Sequence, residues 1–183
     1  MQYSICTYGN PALRQKALPV TAFDCSLENF TKDMLKIMKE QNGVGLAAEQ
    51  IGEMIQVCVM DLDVKYDLAT PDGQRLNPEI SMPFVLVNPK ILEKSAHQTN
   101  TEGCLSIPGI FAPVKRAFEI SVSFRDIHNS PQKMKIKGFL AQVIQHEVDH
   151  LNGMLFIDRI SPVKKISLSG KLKEMKKQTE TKL

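Results

Sequence analysis

The chain has 183 residues, of which 43% are hydrophobic and 23% are charged. These proportions are typical of one globular domain. They argue against a disordered, fibrous or multidomain chain. The net charge of +3 is too small to indicate sequence-specific nucleic-acid binding,. No apolar run approaches the roughly 18 residues of a membrane-spanning helix, and the chain begins without a secretory signal pattern,.

The four cysteines are irregularly spaced and include no Cys-x-x-Cys pair. A domain of this length can bury enough surface to be stable without disulfides. We therefore expect reduced thiols and a cytoplasmic protein that acts without a membrane.

The first half of the chain predicts one helix followed by a strand. Residues 27–41 place apolar side chains at the spacing of an amphipathic helix, which Ser26 can cap and Gly43 can end,. Residues 55–60 form a short apolar run rich in β-branched side chains, which predicts a buried strand,. The proline-rich residues 63–83 predict a surface excursion with a short hairpin at a Pro-Asp-Gly turn,.

The second half predicts further strands and a late helix. Residues 84–88 are typical of a buried strand, and residues 118–124 and 133–137 alternate as half-exposed strands do,. A second helix begins after Gly138 and ends near Gly153,. Short strands with separate helices indicate an α+β fold.

The end of the chain differs from the rest in charge. Residues 162–183 carry seven lysines and two glutamates, which give this segment a formal charge of +5 and leave the remainder at −2. We therefore expect a main domain over residues 1–161 and a basic C-terminal helix or tail over 162–183.

The late helix contains a His-Glu-x-x-His sequence. His146 and His150 are four residues apart, so they lie on one face of the helix and can bind one metal ion, while Glu147 can reach a water on that ion,. The plainer alternative is a surface helix whose histidines only titrate. A catalytic site needs a third protein ligand, and no histidine follows His150,. Cys104 is the best upstream candidate, because its thiolate suits a borderline-soft divalent ion.

A glycine-rich stretch at residues 43–52 forms the third feature. Its glycines permit close backbone approach, and Gln50 offers an amide that can donate to developing negative charge. An ordinary glycine-rich loop is the alternative. The stretch lacks the pattern of a phosphate-binding or dinucleotide-binding loop.

Taken together, residues 43–50, 102–106 and 145–150 resemble the three motifs of peptide deformylases, in the order and with the spacing of that family. The resemblance implies an α+β fold with antiparallel strands packed around a central HExxH helix. It also implies removal of the formyl group from the N-terminal formyl-methionine of nascent polypeptides, with release of formate, by a catalytic domain over residues 1–161.

The resemblance further implies a role for each motif residue. Cys104, His146 and His150 would bind the metal ion, and Glu147 would be the general acid and base that activates the metal-bound water. In many members of the family the ion is Fe²⁺, and the ligand set is also compatible with Zn²⁺, Ni²⁺ or Co²⁺.

The remaining motif positions would bind the substrate. Gln50 and the backbone N–H of Leu105 would stabilise the oxyanion, while Val44, Gly45 and Gly103 would pair with the peptide backbone.

Residues before the HExxH sequence would form a pocket for the methionine side chain. Phe139, Gln142 and Val143 lie about one helical turn before His146, and simple core packing is the alternative for them. Gln142 is polar where the family usually has an apolar residue.

Two other functions and one partner stay open at this point. An HExxH peptidase is the neighbouring enzyme class, and a binding module with a structural metal site is the non-catalytic one. The resemblance also implies that the lysine-rich residues 162–183 could dock on the ribosome. A solvated helix without a partner is the alternative for that segment.

Overall fold

The computed structural model describes residues 3–68 and 73–181 of the chain. These residues form three α-helices and seven strands, so the predicted α+β class is confirmed. The helices are α1 (Cys25–Glu40), α2 (Gly138–Leu151) and α3 (Pro162–Glu180). The strands are β1 (Gly45–Ala47), β2 (Val57–Met60), β3 (Phe84–Ser95), β4 (Gln98–Cys104), β5 (Ile107–Arg116), β6 (Glu119–Arg125) and β7 (Pro131–Lys137).

All strand pairs among these elements are antiparallel, and they form two sheets. Five strands pair in the order β1-β2-β3-β6-β7, and β4 pairs with β5 in a separate hairpin. Helix α2 is buried along its whole length except at Phe139. Its apolar side chains, including Leu140 and Ile144, share a hydrophobic cluster with Ile120 and Val122 of β6. A helix that is buried on every side lies at the centre of the fold.

Helix α1 begins slightly earlier than predicted, because its cap is a different residue. The carboxylate of Asp24 accepts hydrogen bonds from the backbone N–H groups of Ser26 and Leu27, at 2.9 and 3.2 Å. The assignment of the cap to Ser26 was therefore wrong. Two of the donors that an α-helix leaves unpaired at its start are satisfied by one carboxylate.

The hairpin of β4 and β5 was not predicted. Strand β4 consists almost entirely of polar residues and glycine, so it has no apolar alternation that would predict a strand. Its pairing with β5 makes it a strand. Strand β6 is also more buried than predicted, because Ser121 is covered on the face opposite Ile120 and Val122. Burial on both faces follows from the position of β6 inside the sheet.

The predicted surface excursion at residues 63–83 returns to the core. An antiparallel bridge joins Leu68 to Arg75, as expected for a narrow hairpin, while residues 71–72 of the expected turn lie outside the described residues. Asn77 is 1% exposed. Its amide donates to the carbonyl of Lys137 at 3.1 Å and accepts from the N–H of Lys137 at 2.9 Å. The segment is thus fastened to the residue immediately before α2.

Helix α3 packs against the body of the protein. Leu168 and Leu172 share a buried cluster with Ile107 of β5 and with Phe156, and the hydroxyl groups of Thr7 and Thr179 lie 2.7 Å apart. The proposed boundary between residues 161 and 162 stays a prediction. No helix among the described residues is long and apolar enough to span a membrane.

Replacement of the cap residue tests the start of α1. We expect Asp24→Ala to lower the free energy of unfolding by about 1 kcal/mol, because two N–H groups lose their acceptor. Ser26→Ala is the matched control and should change it by only a few tenths of a kcal/mol. Urea titrations of the two variants provide the measurement, and an equal loss in both would contradict the assignment of the cap to Asp24.

Candidate active site

Three potential metal ligands converge beside the central helix. One ligand atom from each of Cys104, His146 and His150 lies within 4.8 Å of the other two. The Cys104 sulfur is 3.1 Å from Nε2 of His150. One thiolate and two imidazoles are a donor set that suits Zn²⁺ or Fe²⁺, so the residues fit a divalent ion.

The β4–β5 hairpin positions Cys104. Cys104 pairs with Ile107, so Leu105 and Ser106 form the turn between the strands. Cys104 is the last residue of β4. A strand end anchored by the buried Ile107 holds a ligand more firmly than a free loop,.

Glu102 orients His146 from the same hairpin. Its Oε2 lies 3.0 Å from Nδ1 of His146, and its two oxygens accept from Nε and Nη2 of Arg116 at 2.9 and 3.0 Å. Burial acts to raise the pKa of Glu102, but the hydrogen bonds from His146 and Arg116 outweigh it and lower the pKa to about 2,. Glu102 and Arg116 thus form a buried ion pair, and Nε2 of His146 is left to face the candidate metal site,.

The pKa values of the two histidines shift in opposite directions. Burial lowers the pKa of His150 well below its usual range, which favours the neutral imidazole that binds metals,. For His146, hydrogen bonds to Cys104 and Glu102 outweigh burial and raise the pKa. Ligation of a metal ion through Nε2 would require loss of the Nε2 proton, so the metal affinity of these residues would fall as the pH is lowered.

Glu147 lies against the first strand. Burial raises its pKa to about 7, which is suitable for a group that must both accept and donate a proton near neutral pH,. A Cβ atom on Gly45 would collide with Oε1 of Glu147 and would come within 2.9 Å of Val143. Glycine at position 45 therefore lets the backbone of β1 approach the carboxyl group.

Gln50 presents its amide nitrogen to the same place. Its Oε1 accepts from the N–H of Ala47 at 2.8 Å, which fixes the orientation of the amide. Its Nε2 then donates to Oγ of Ser106 at 3.2 Å and lies 3.5 Å from the Cys104 sulfur. The amide nitrogen thus points toward the potential metal ligand Cys104 and lies beside the hairpin turn that contains Leu105.

A cavity of roughly 490 Å³ opens onto these groups. His150 does not line it and lies buried behind the wall of the cavity. The predicted site residues that line it are Val44, Gly45, Gln50, Gly103, Cys104, Leu105, Phe139, Val143, His146 and Glu147.

The predicted methionine pocket has one polar wall. Gln142 lines the cavity and is 3% exposed; its Oε1 accepts from Asn100 at 2.7 Å and its Nε2 donates to Glu102 at 3.1 Å. Phe139 lines the cavity with its ring centre 5.3 Å from that of Tyr66. Phe139 and Val143 also contact the main hydrophobic cluster, so cavity lining and core packing coexist.

Sequence reasoning missed two groups near the ligands. Asp149 accepts from Arg116 and from Arg159, and these ion pairs extend the Glu102 network. Glu49 is fully buried, and its Oε1 lies 3.6 Å from Nδ1 of His150. Burial raises the pKa of Glu49 to about 8. The position of an acidic residue directly after the apolar residues 44–48 was the signal that could have identified Glu49.

Comparisons of the chain with known proteins agree on one family. The polypeptide deformylase family model matches residues 2–166. The peptide deformylase of Opitutus terrae is 40% identical over 98% of this chain and 95% of its own length. A peptide deformylase of Prochlorococcus marinus is 44% identical over 94% of this chain and 79% of its own length.

Solved structures of peptide deformylases have the same fold. That of Plasmodium falciparum is 34% identical and superposes with a TM-score of 0.83, covering 97% of this chain and 98% of its own. The structure of Arabidopsis thaliana peptide deformylase 1B is 34% identical and has a TM-score of 0.85. The match covers 98% of this chain and 92% of that one. The family model, these relatives and these structures agree: the chain belongs to the polypeptide deformylase family.

Proposed function

We propose that this chain is a metal-dependent amide hydrolase that removes the formyl group from the N-terminal formyl-methionine of nascent polypeptides. The observation that carries the proposal is the convergence of Cys104, His146 and His150 beside a cavity that is lined by Glu147 and Gln50. The reaction belongs in the cytoplasm, where polypeptides emerge from the ribosome. A family match over residues 2–166 supports the assignment.

Cys104, His146 and His150 hold one divalent ion in this proposal. When bound, the ion supplies a Lewis acid that polarises the formyl carbonyl group and makes water a better nucleophile. The Glu102 carboxylate keeps the ring of His146 in the orientation that leaves Nε2 as the ligand atom,.

Glu147 moves the proton during hydrolysis. Its carboxylate removes a proton from the attacking water and then donates it to the amine of methionine as the C–N bond breaks and formate leaves. The pKa of about 7, raised by burial, supports both roles. The Nε2 group of Gln50 and the N–H of Leu105 donate to the negative charge that develops on the formyl oxygen.

The substrate lies between β1 and the β4–β5 hairpin in this proposal. Val44, Gly45 and Gly103 line the cavity from these two sides, where an extended peptide can pair with their backbone,. Phe139 and Val143 provide the apolar walls for the methionine side chain. An HExxH peptidase is less well supported, because the third ligand candidate is a cysteine from the hairpin.

Replacement of Glu147 tests the mechanism. We expect Glu147→Gln to keep its metal and to lower kcat on a formyl-methionyl peptide by about 10²–10⁴-fold, because the amide cannot carry the proton. Release of formate provides the measurement, and Glu93→Gln, on an exposed part of β3, is the control. Full activity in metal-loaded Glu147→Gln would contradict the mechanism. Cleavage of an internal bond in an unformylated peptide would instead favour the peptidase.

The identity of the ion is a separate proposal. We propose Fe²⁺ as the ion used in the cell, with Zn²⁺, Ni²⁺ and Co²⁺ able to occupy the same ligands. A thiolate beside an oxidisable ion also makes the site sensitive to air.

Metal analysis of anaerobically purified protein tests the ligand set and the ion together. We expect about one iron per chain in the wild type and almost none in Cys104→Ala, because two imidazoles alone bind divalent ions weakly. Cys25→Ala is the control, since Cys25 is exposed at the start of α1. Zinc in place of iron would contradict the choice of ion, and a Cys104→Ala protein that keeps its metal would contradict the ligand set.

We also propose that the basic C-terminal helix contacts the ribosome. Leu168 and Leu172 fix α3 on the body of the protein, while most of its lysines are exposed. Several exposed cationic side chains on an anchored helix are suited to the phosphate backbone of RNA without reading its sequence,. A solvated helix without a partner is the alternative.

Charge reversal tests this contact better than deletion does, because deletion would also remove Leu168 and Leu172 from the core. We expect the fraction of protein that co-sediments with ribosomes to fall by roughly tenfold or more in the triple variant Lys171→Glu, Lys173→Glu, Lys177→Glu. Its activity on a small formylated peptide should be unchanged. The control reverses Lys133 and Lys135, which are exposed on β7. Equal co-sedimentation of all variants would favour the solvated helix.

A further inference from the structure

Apart from Glu147, whose Oε2 is also unpaired, two buried polar side chains beside the metal ligands lack hydrogen-bond partners among the described residues. Among the described residues, none makes a hydrogen bond of normal geometry to either carboxylate oxygen of Glu49 or to Nδ1 of His150. The side chain of Glu49 is 0% exposed and that of His150 is 1% exposed. Since buried polar groups are nearly always paired in folded proteins, such a coincidence requires an explanation.

The two groups face each other. Oε1 of Glu49 and Nδ1 of His150 are 3.6 Å apart. A side-chain rotation that moves the oxygen by well under about 1 Å would therefore produce a normal N–H···O distance. The other histidine already has such a partner, because Nδ1 of His146 lies 3.0 Å from Glu102. Each histidine thus has one carboxyl group on the side away from the ligand cluster.

We propose that Glu49 is a positioning residue that accepts a hydrogen bond from Nδ1–H of His150 and thereby holds Nε2 of that ring toward the metal. The inference rests on the metal site proposed above and adds a residue to it. The hydrogen bond selects the tautomer in which Nε2 carries no proton, since a neutral imidazole has only one N–H. A ring held in this tautomer and orientation needs less reorganisation to bind an ion.

The backbone couples this contact to the oxyanion group. Glu49 and Gln50 are neighbours on the short 3₁₀ turn Ala48–Ile51. Gln50 is fixed by its hydrogen bond to Ala47, and Glu49 by the proposed contact with His150. One turn of the chain therefore supports a metal ligand through one side chain and presents a hydrogen-bond donor to the substrate through the next.

The two supporting carboxyl groups differ in their other partners. Glu102 shares its charge with Arg116 and also accepts from Gln142. Glu49 has no cationic side chain within ion-pair distance among the described residues, apart from His150. Support of His150 should therefore depend on Glu49 alone, whereas support of His146 is shared within a network.

Release of Zn²⁺ from the loaded protein to a chelator, without substrate, tests the proposal. We expect Glu49→Leu to release Zn²⁺ about 10- to 100-fold faster than the wild type, because second-layer partners of metal-bound histidines typically have effects of this size. Glu49→Gln should stay within a few-fold of the wild type, since its side-chain carbonyl oxygen can still accept from Nδ1–H. Glu53→Leu, four residues later and outside the site, is the matched control.

A spectroscopic measurement on the wild type makes the test independent of how well the variants fold. In Co²⁺-loaded wild type we expect two exchangeable imidazole N–H resonances in the proton NMR spectrum, one for each histidine. The resonance of His150 should persist in Glu49→Gln and be lost or broadened in Glu49→Leu. A single N–H resonance in the wild type would overturn the proposal, as would unchanged Zn²⁺ release from Glu49→Leu or equally fast release from Glu49→Gln.

The outcome is separable from that of the proposed function. Wild-type protein that binds no Zn²⁺ would overturn the metal site itself and this inference with it. Wild-type protein that binds Zn²⁺ and hydrolyses formyl-methionyl peptides, while Glu49→Leu holds its metal equally well, would overturn the role of Glu49 alone.

Discussion

The buried Glu102 carboxylate is the contact on which the arrangement of the site depends. It accepts hydrogen bonds from Arg116 on the neighbouring strand and from His146 and Gln142 on α2. A buried charge is costly unless it is paired and hydrogen-bonded, and these partners satisfy both oxygens. The same carboxylate therefore ties the β4–β5 hairpin to the central helix. Since Cys104 lies two residues later on the same strand, this tie brings the sulfur to the histidines.

The central helix accommodates its polar residues because Arg116 of β5, the adjacent Ala117, and Arg159 after the helix supply partners for them. The amide of Gln145 both accepts from the N–H and donates to the carbonyl of Ala117, at 3.1 and 2.9 Å. Asp149 pairs with Arg116 and Arg159. The opposite face of α2 is apolar and packs on the five-stranded sheet. A helix divided in this way has one orientation in the fold, which directs Glu147 into the cavity.

The HExxH helix and Cys104 could be predicted from the sequence because the information they require is local. Helical periodicity places His146 and His150 on one face, and the absence of a later histidine directs the search upstream. Strand β4 could not be predicted, because its polar residues have no apolar alternation and only pairing with β5 makes them a strand. Glu49 was missed for a related reason, since its burial beside His150 is a tertiary contact between residues far apart in the chain.

Charge explains why the site tolerates carboxyl groups that the network does not neutralise. Arg116 and Arg159 are matched by Glu102 and Asp149, so this set carries no excess charge. Glu49 and Glu147 stand outside that balance, and burial raises the pKa of Glu49 to about 8 and that of Glu147 to about 7. In the proposed metal site, a divalent cation on the adjacent Cys104 sulfur and two imidazoles would provide the opposite charge. A closely placed cation favours the ionised form of nearby acids, so metal binding would favour the ionised Glu147 that the proposed mechanism requires.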